Sequence, residues 1–242
     1  MITVSHLTKL YGDFKAVSDL SFEVGPGEVV GLIGPNGAGK TSTLRCIVGL
    51  QAPTTGRIAI DGRDVVTEAV EAKRRLAFMA DEPQLFEYLT VMEHLRLTAR
   101  IYSVPDFDAR AAALIGELQL TGKEKALPSE LSRGMKQKVA IACGLIHQPA
   151  ALMFDEPLTG LDPLGIRHMK ETIVARGRSG GAVIVSSHLL HLVEEICTRV
   201  VIIDRGVKVA DGTLAELSAQ AQMAEHGSNL EQIFLKVTAH DR

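Results

Sequence analysis

The chain of 242 residues has no tryptophan, and its aromatics amount to only 4% of the total. Hydrophobic content is nonetheless 46%. The core must therefore be built from Val, Ile, Leu and Ala, a composition that suits parallel strands buried under helices. Cysteine is scarce as well. Cys46, Cys143 and Cys197 lie far apart in apolar stretches, with no C-x-x-C pair among them. That spacing indicates neither a zinc site nor a disulfide framework, and reduced, buried thiols in a cytosolic protein are expected. Positive charge is not in excess: 26 Lys and Arg face 29 Asp and Glu, for a net charge of −3. Proteins that coat nucleic acid are usually basic, so no nucleic-acid partner is expected. Lys73, Arg74 and Arg75 read as a solvated face. No apolar run approaches the roughly 18–20 residues needed to cross a bilayer, so the chain itself is not expected to be a channel or permease. The first residues lack a basic segment followed by a long apolar one, and no signal peptide is expected.

Against these absences stands one dense motif. Residues 34–41 read GPNGAGKT, which fits G-x-x-x-x-G-K-[S/T] at every fixed position. The apolar run 29–33 precedes it, and a helix former series from Ser42 follows, which is the strand–loop–helix setting that a phosphate loop needs. Gly34, Gly37 and Gly39, with Pro35, Asn36 and Ala38 between them, let backbone N–H groups curl around a phosphate. The helix N-terminus adds partial positive charge aimed at the same anion. Lys40 reaches the β- and γ-phosphates, and the hydroxyl of Thr41 is offered to Mg²⁺, with Ser42 beside it.

Around this motif the periodicity reads as follows. Strands are expected over 3–7, 16–24, 29–33 and 57–60, with turns at Gly12-Asp13, 25–27, 53–56 and Asp61-Gly62. A helix over 40–50 leaves the phosphate loop. A helical stretch over 91–144 is broken by Pro105 and Pro128. Within it Ala111, Leu114, Ile115 and Leu118 fall at i, i+3, i+4 and i+7, one apolar face. Strands at 151–154, 182–186 and 200–203 then alternate with helices at 164–176 and 189–197. Such alternation argues for an α/β fold with a mostly parallel sheet. There is one phosphate loop and no internal repeat.

Two further stations carry chemistry. The run 151–156 reads ALMFDE, an apolar strand that delivers Asp155 and Glu156 to the carboxyl edge of the sheet. There Asp155 can orient water on Mg²⁺ and Glu156 can polarise an attacking water. The run 131–138 reads LSRGMKQK, in which Ser132 caps a helix whose N-terminus forms a second anion-binding end.

The order of these parts resembles that of ABC-type ATPases: phosphate loop, helical insert, L-S-x-G helix start, apolar strand ending in Asp-Glu, and a strand ending in Ser-Ser-His. The resemblance covers about residues 1–215. It implies a P-loop NTPase core, an N-terminal antiparallel β subdomain, and an α-helical subdomain inserted at about 84–146. A C-terminal helical extension over 216–242 would follow. The resemblance also implies roles. Tyr11 matches the aromatic that stacks on adenine. Asp162, in the run 159–162, matches the loop that crosses to a partner subunit. His188 matches the switch histidine that contacts the γ-phosphate. In this family two subunits sandwich two ATP molecules head to tail. Ser132 and the Gly134 backbone would then face the γ-phosphate held by the partner's Lys40. The implied partners are a second ATPase subunit, identical or paralogous, and a separately encoded integral-membrane permease. The implied location is the inner face of the cell membrane.

The sequence departs from the family pattern twice. Arg133 and Met135 replace a glycine and a glutamine of the usual L-S-G-G-Q. Arg133 adds positive charge near an anion, for nucleotide binding or for contact with the partner. Where the family has a glutamine at the metal, alignment on Pro83 puts Asp81, a carboxylate able to face Mg²⁺ directly or through water. Both departures are similar to bacterial exporter ATPases. The apolar, aromatic segment 85–89 is where such families seat a membrane subunit's helix. The alternative is a non-transport ABC ATPase acting on a soluble assembly. Against it, the insert shows no sustained heptads and the chain carries one cassette. A GTPase reading finds no N-K-x-D motif.

Overall fold

The computed structural model describes residues 1–159, 161–220 and 229–238. Strands β1 (Ile2–Tyr11) and β2 (Phe14–Val24) form a hairpin, β3 (Val29–Ile33) leads into the phosphate loop, and α1 (Lys40–Ile47) leaves it. Then come β4 (Thr55–Ile60), β5 (Arg63–Asp64), α2 (Ala69–Arg74) and β6 (Leu76–Met79). The helices α3 (Val91–Ile101), α4 (Phe107–Glu117) and α5 (Arg133–Leu145) build a lobe. The chain returns through β7 (Ala151–Asp155), α6 (Pro163–Arg178), β8 (Ala182–Ser186), α7 (Leu190–Ile196), β9 (Arg199–Asp204) and β10 (Val207–Gly212). Two short helices, α8 (Leu214–Gln220) and α9 (Leu230–Thr238), follow.

Two sheets result. The smaller has the order β2-β1-β4-β5 with antiparallel pairing. The larger has the order β10-β9-β3-β8-β7-β6, parallel throughout except for the edge strand β10. Buried runs explain its centre: every residue of β3 and of β8 is buried, as are the first four of β7. Strands covered on both faces read as continuous apolar runs rather than alternating ones. One face packs α1 and the smaller sheet through Leu32, Leu44, Ile47 and Ile184. The other packs the helical lobe and α6 through Leu95, Val139, Phe154 and Ile173.

The expected strands at 29–33 and 182–186 match β3 and β8 end for end. The helix expected over 40–50 stops at Ile47, because Gly49 turns at φ 66°. Four elements were not anticipated: β5, α2, β6 as a separate strand, and β10. The proposed apolar face of α4 is buried at Ala111, Leu114 and Ile115. Helix α3 begins with a reciprocal cap, in which Glu93 N–H reaches Thr90 and Thr90 N–H donates to Glu93 Oε2 at 2.8 Å. Leu217, Leu230 and Ile233 of the last two helices bury against Ile202, Ala210 and Val193. The rest of the expected extension, residues 221–228 and 239–242, lies outside the described residues, as does Gly160. Among the described residues no helix is long and apolar enough to cross a membrane.

Candidate functional site

The phosphate loop opens at the carboxyl end of β3 and is locked against its surroundings. A Cβ on Gly34 would stand 2.2 Å from the Ile203 carbonyl oxygen, and one on Gly39 would stand 2.5 Å from that of Ala16. Gly39 adopts φ 103°, a left-handed conformation open to glycine. No side chain caps α1 and no acid sits in its first turn, so its N-terminal N–H groups stay available to an anion. Lys40 Nζ folds back over the loop and donates to the carbonyls of Gly34 at 2.6 Å and Pro35 at 3.2 Å. Thr41 is exposed and Ser42 half-buried, while Ala38 is buried beneath the turn. Pro35, Asn36 and Gly37 form its exposed crest.

Strands β7 and β8 bring the carboxylates to the same edge. Asp155 and Ser186 are register partners, and the Ser186 hydroxyl donates to Asp155 Oδ1. Glu156, the next residue, sits at φ 48°. A left-handed glutamate costs free energy, and such strain persists only where surrounding bonds impose it. Here its N–H donates to the Ser186 carbonyl at 3.0 Å. Its Oε2 accepts from Ser187 Oγ at 3.3 Å, His188 N–H at 3.3 Å and His188 Nδ1 at 2.9 Å. Glu156 is thus held at both ends by the Ser-Ser-His segment. Burial pushes the Lys40 ammonium below the ordinary lysine value, and the charges of Glu156 and Asp155 pull it back up.

Tyr11 is exposed and tethered to the helix that leaves the loop. Its hydroxyl donates to Gln51 Oε1 and lies 3.4 Å from Ser42 Oγ, while Lys9 Nζ stands 5.2 Å from the ring centroid.

The remaining residues form a second group. Ser132 caps α5 by accepting from Met135 N–H at 3.3 Å, and Asp162 caps α6 by accepting from Gly165 N–H at 2.7 Å. Ser132, Gly134 and Asp162 share a cavity of about 600 Å³ whose lining includes no phosphate-loop residue, nor Asp155, Glu156 or His188. The N-termini of α1 and α5 therefore do not line one cavity. Asp81 lies just past β6 on the sheet edge, with Oδ1 3.5 Å from Arg133 Nη2. Gln137, buried on α5, donates to the Pro157 carbonyl at 2.8 Å and ties the lobe to the segment after Glu156.

Sequence reasoning missed the roles of Ser186, Ser187, Gln51 and Gln137. The signal for the serines was present, since two hydroxyls end an apolar strand at the edge where carboxylates gather. The contacts of Gln51 and Gln137 span 40 and 20 residues and depend on packing alone.

A sequence model of the ABC transporter family matches residues 17–159, more than half of the chain. The ABC-type transporter ATP-binding protein EcsA of Bacillus subtilis is 36% identical over 100% of this chain and 98% of its own length. The Nod factor export ATP-binding protein I of Paraburkholderia xenovorans is 36% identical over 96% of this chain and 76% of its own. A solved ATP-binding subunit of an ABC transporter superposes with a TM-score of 0.93 at 34% identity, covering 98% of this chain and 99% of that one. The chain belongs to the ABC transporter family, as one of its ATP-binding, ATP-hydrolysing subunits.

Proposed function

We propose that this subunit couples ATP hydrolysis to the work of a separate membrane permease, in the direction of export. The observation that carries the catalytic part is the gathering of Lys40, Asp155, Glu156 and His188 at one sheet edge. ATP lies with its phosphates in the loop of residues 34–42 and its base against Tyr11. Thr41 and Asp155 offer only oxygen donors, which suits Mg²⁺, and Asp81 is a further oxygen on that edge. When bound, Mg²⁺ supplies charge neutralisation at the β- and γ-phosphates.

The chain's own residues then divide the task. Lys40 leaves its two carbonyl partners for the phosphates. Glu156 orients and polarises the attacking water. His188 holds Glu156 through Nδ1 and presents Nε2 to the γ-phosphate. The separate cavity beside Ser132, Gly134 and Asp162 favours a head-to-tail pair, in which these residues complete the partner's site rather than their own.

The permease is proposed to dock on the groove beneath segment 85–89. This groove is a cavity of about 660 Å³ lined by Leu50, Phe78, Met79, Phe86, Tyr102 and His147. At its rim Phe86 and Tyr88 are 63% and 89% exposed, more than an isolated subunit has reason to leave in water. Docking there would hold the subunit at the inner face of the membrane. The export direction is supported by the named export activity of a relative.

The test is to tag the chain, solubilise native membranes in mild detergent and identify what is captured. A polytopic membrane protein at near-equal stoichiometry is expected, lost when Phe86 and Tyr88 are both changed to Glu. Recovery with ribosomes or DNA instead would favour a non-transport ATPase and contradict the proposal.

A further inference from the structure

Arg133 occupies the first helical position of α5. A cation there opposes the helix dipole instead of complementing it. The first turn of α5 contains no acid, and Lys136 and Lys138 follow closely. The carboxylate that meets it comes from elsewhere in the chain. Asp81 Oδ1 lies 3.5 Å from Arg133 Nη2, shut off from water and without a hydrogen bond of ordinary length. Asp81 stands two residues beyond Met79, which pairs with Phe154 immediately before Asp155. The ion pair therefore links the catalytic edge of the sheet to the phosphate-facing end of the lobe. Its two members are among the three residues, with Met135, at which the sequence leaves the family pattern.

We propose that Asp81 is a positioning residue that holds Arg133 in the nucleotide-free subunit and competes for it with the γ-phosphate brought by the second subunit. The inference rests on the head-to-tail reading given above. The geometry favours a restraint that gives way. At 3.5 Å the contact is longer than the roughly 2.7–2.9 Å of a charge-assisted hydrogen bond. Both side chains are about half exposed, at 52% and 44%. Exposed pairs of this kind shift equilibria by about 1.4- to 5-fold. A γ-phosphate brings more charge and more acceptor oxygens, and the N-terminus of α5 adds its own partial positive charge to the attraction. ATP on the partner thus draws Arg133 away, and this one tie between lobe and sheet, beside the Gln137 bond to Pro157 and the shared core, holds only while no such ATP is present.

The test is a double-mutant cycle in a Glu156→Gln background, which slows hydrolysis and lets dimerisation be read. Sedimentation velocity over a series of ATP concentrations with Mg²⁺ gives the half-point for dimer formation. At saturating Mg²⁺, where a weakened metal donor no longer limits binding, Asp81→Asn is expected to lower that half-point by about two- to fivefold, and Arg133→Gln to raise it. Adding Asp81→Asn to Arg133→Gln is expected to change nothing further. A merely structural role would move both variants in the same direction. In nucleotide-free protein, amide exchange in the first turn of α5 should quicken in either single variant and no more in the double. The proposal is overturned if Asp81→Asn shifts the half-point by the same factor with and without Arg133, since that is plain removal of a negative charge. It is equally overturned if exchange is unchanged in both single variants. If the background protein fails to dimerise at any ATP concentration, the head-to-tail reading and the competition both fall. The exchange measurement still decides whether the pair holds the helix.

Discussion

Replacing Ser186 by Ala removes one oxygen from a fully buried position and leaves the fold's outline intact. That oxygen donates to Asp155 Oδ1 and lies 3.3 Å from the Glu156 N–H. A hydrogen bond to a charged acceptor contributes about 1.5–3 kcal/mol, and its loss leaves a half-buried carboxylate one donor short. No compensating partner is at hand, because the neighbouring hydroxyl of Ser187 is occupied with Glu156 and the Leu189 N–H. A loss of about 2 kcal/mol in a domain of this size lowers Tm by roughly 4–8 °C. The same bond fixes the Asp155 carboxylate beside the phosphate loop. Misplacing it should reduce kcat by about tenfold, the equivalent of 1.4 kcal/mol in the barrier. Thermal unfolding by circular dichroism without nucleotide, and phosphate release with ATP and Mg²⁺, read the two effects separately. Ser187→Ala serves as comparison. Its contact to Glu156 is a longer 3.3 Å, though it also accepts from the Leu189 N–H at 3.1 Å, and it should cost about 1 kcal/mol in stability with little effect on turnover. A Ser186→Ala protein with Tm within about 1 °C of the native value and unchanged turnover would refute this reasoning.

Two other perturbations follow from the same geometry. Gly34→Ala forces a methyl to 2.2 Å from the Ile203 carbonyl in β9 and 2.9 Å from Ala38 Cβ. Strand β9 cannot retreat from its pairing with β3, so stability should fall by roughly 3 kcal/mol in urea titration, with loss of ATP binding by calorimetry. His147 stacks on Tyr102 at 3.8 Å, donates from Nε2 to the Leu76 carbonyl at 3.2 Å, and has a buried Nδ1 without a partner. Burial pushes its pKa below the ordinary 6.5, against a smaller upward pull from the Leu76 carbonyl. Below that pH the unfolded chain takes up a proton that the folded one refuses, so this group weakens the fold as pH falls from 6.5 toward its folded pKa. His147→Phe keeps the stack, costs about 1 kcal/mol for the lost hydrogen bond, and should flatten the decline in urea stability on acidification. An unchanged slope would contradict the assignment.

Much of the catalytic edge was legible because each part is local. The phosphate loop is a contiguous peptide. The strands β3, β7 and β8 are unbroken apolar runs, which only burial on both faces explains. The acids follow such a run directly, so their arrival at the carboxyl edge needed no knowledge of packing. The missing elements lacked such signals. Strand β10, with three exposed residues at its start, is an edge strand that the apolar pattern does not mark. Helix α2 spans six residues, too few for periodicity to register. The left-handed backbone of Glu156 and the clasp on its Oε2 could not be read from residue types, because they arise from β7 and β8 lying side by side. The Asp81–Arg133 pair joins residues on different bodies of the fold. Sequence marked Asp81 and Arg133 as unusual, and the docked lobe showed that they meet.

The central claim is that Glu156 drives hydrolysis at a site completed by a second subunit. Sedimentation velocity of Glu156→Gln with ATP and Mg²⁺ tests it most directly. The account predicts a nucleotide-dependent dimer, with turnover reduced by about 10² or more, that dissociates when ATP is replaced by ADP. A Glu156→Gln protein that stays monomeric under ATP and hydrolyses it at the native rate would contradict the account.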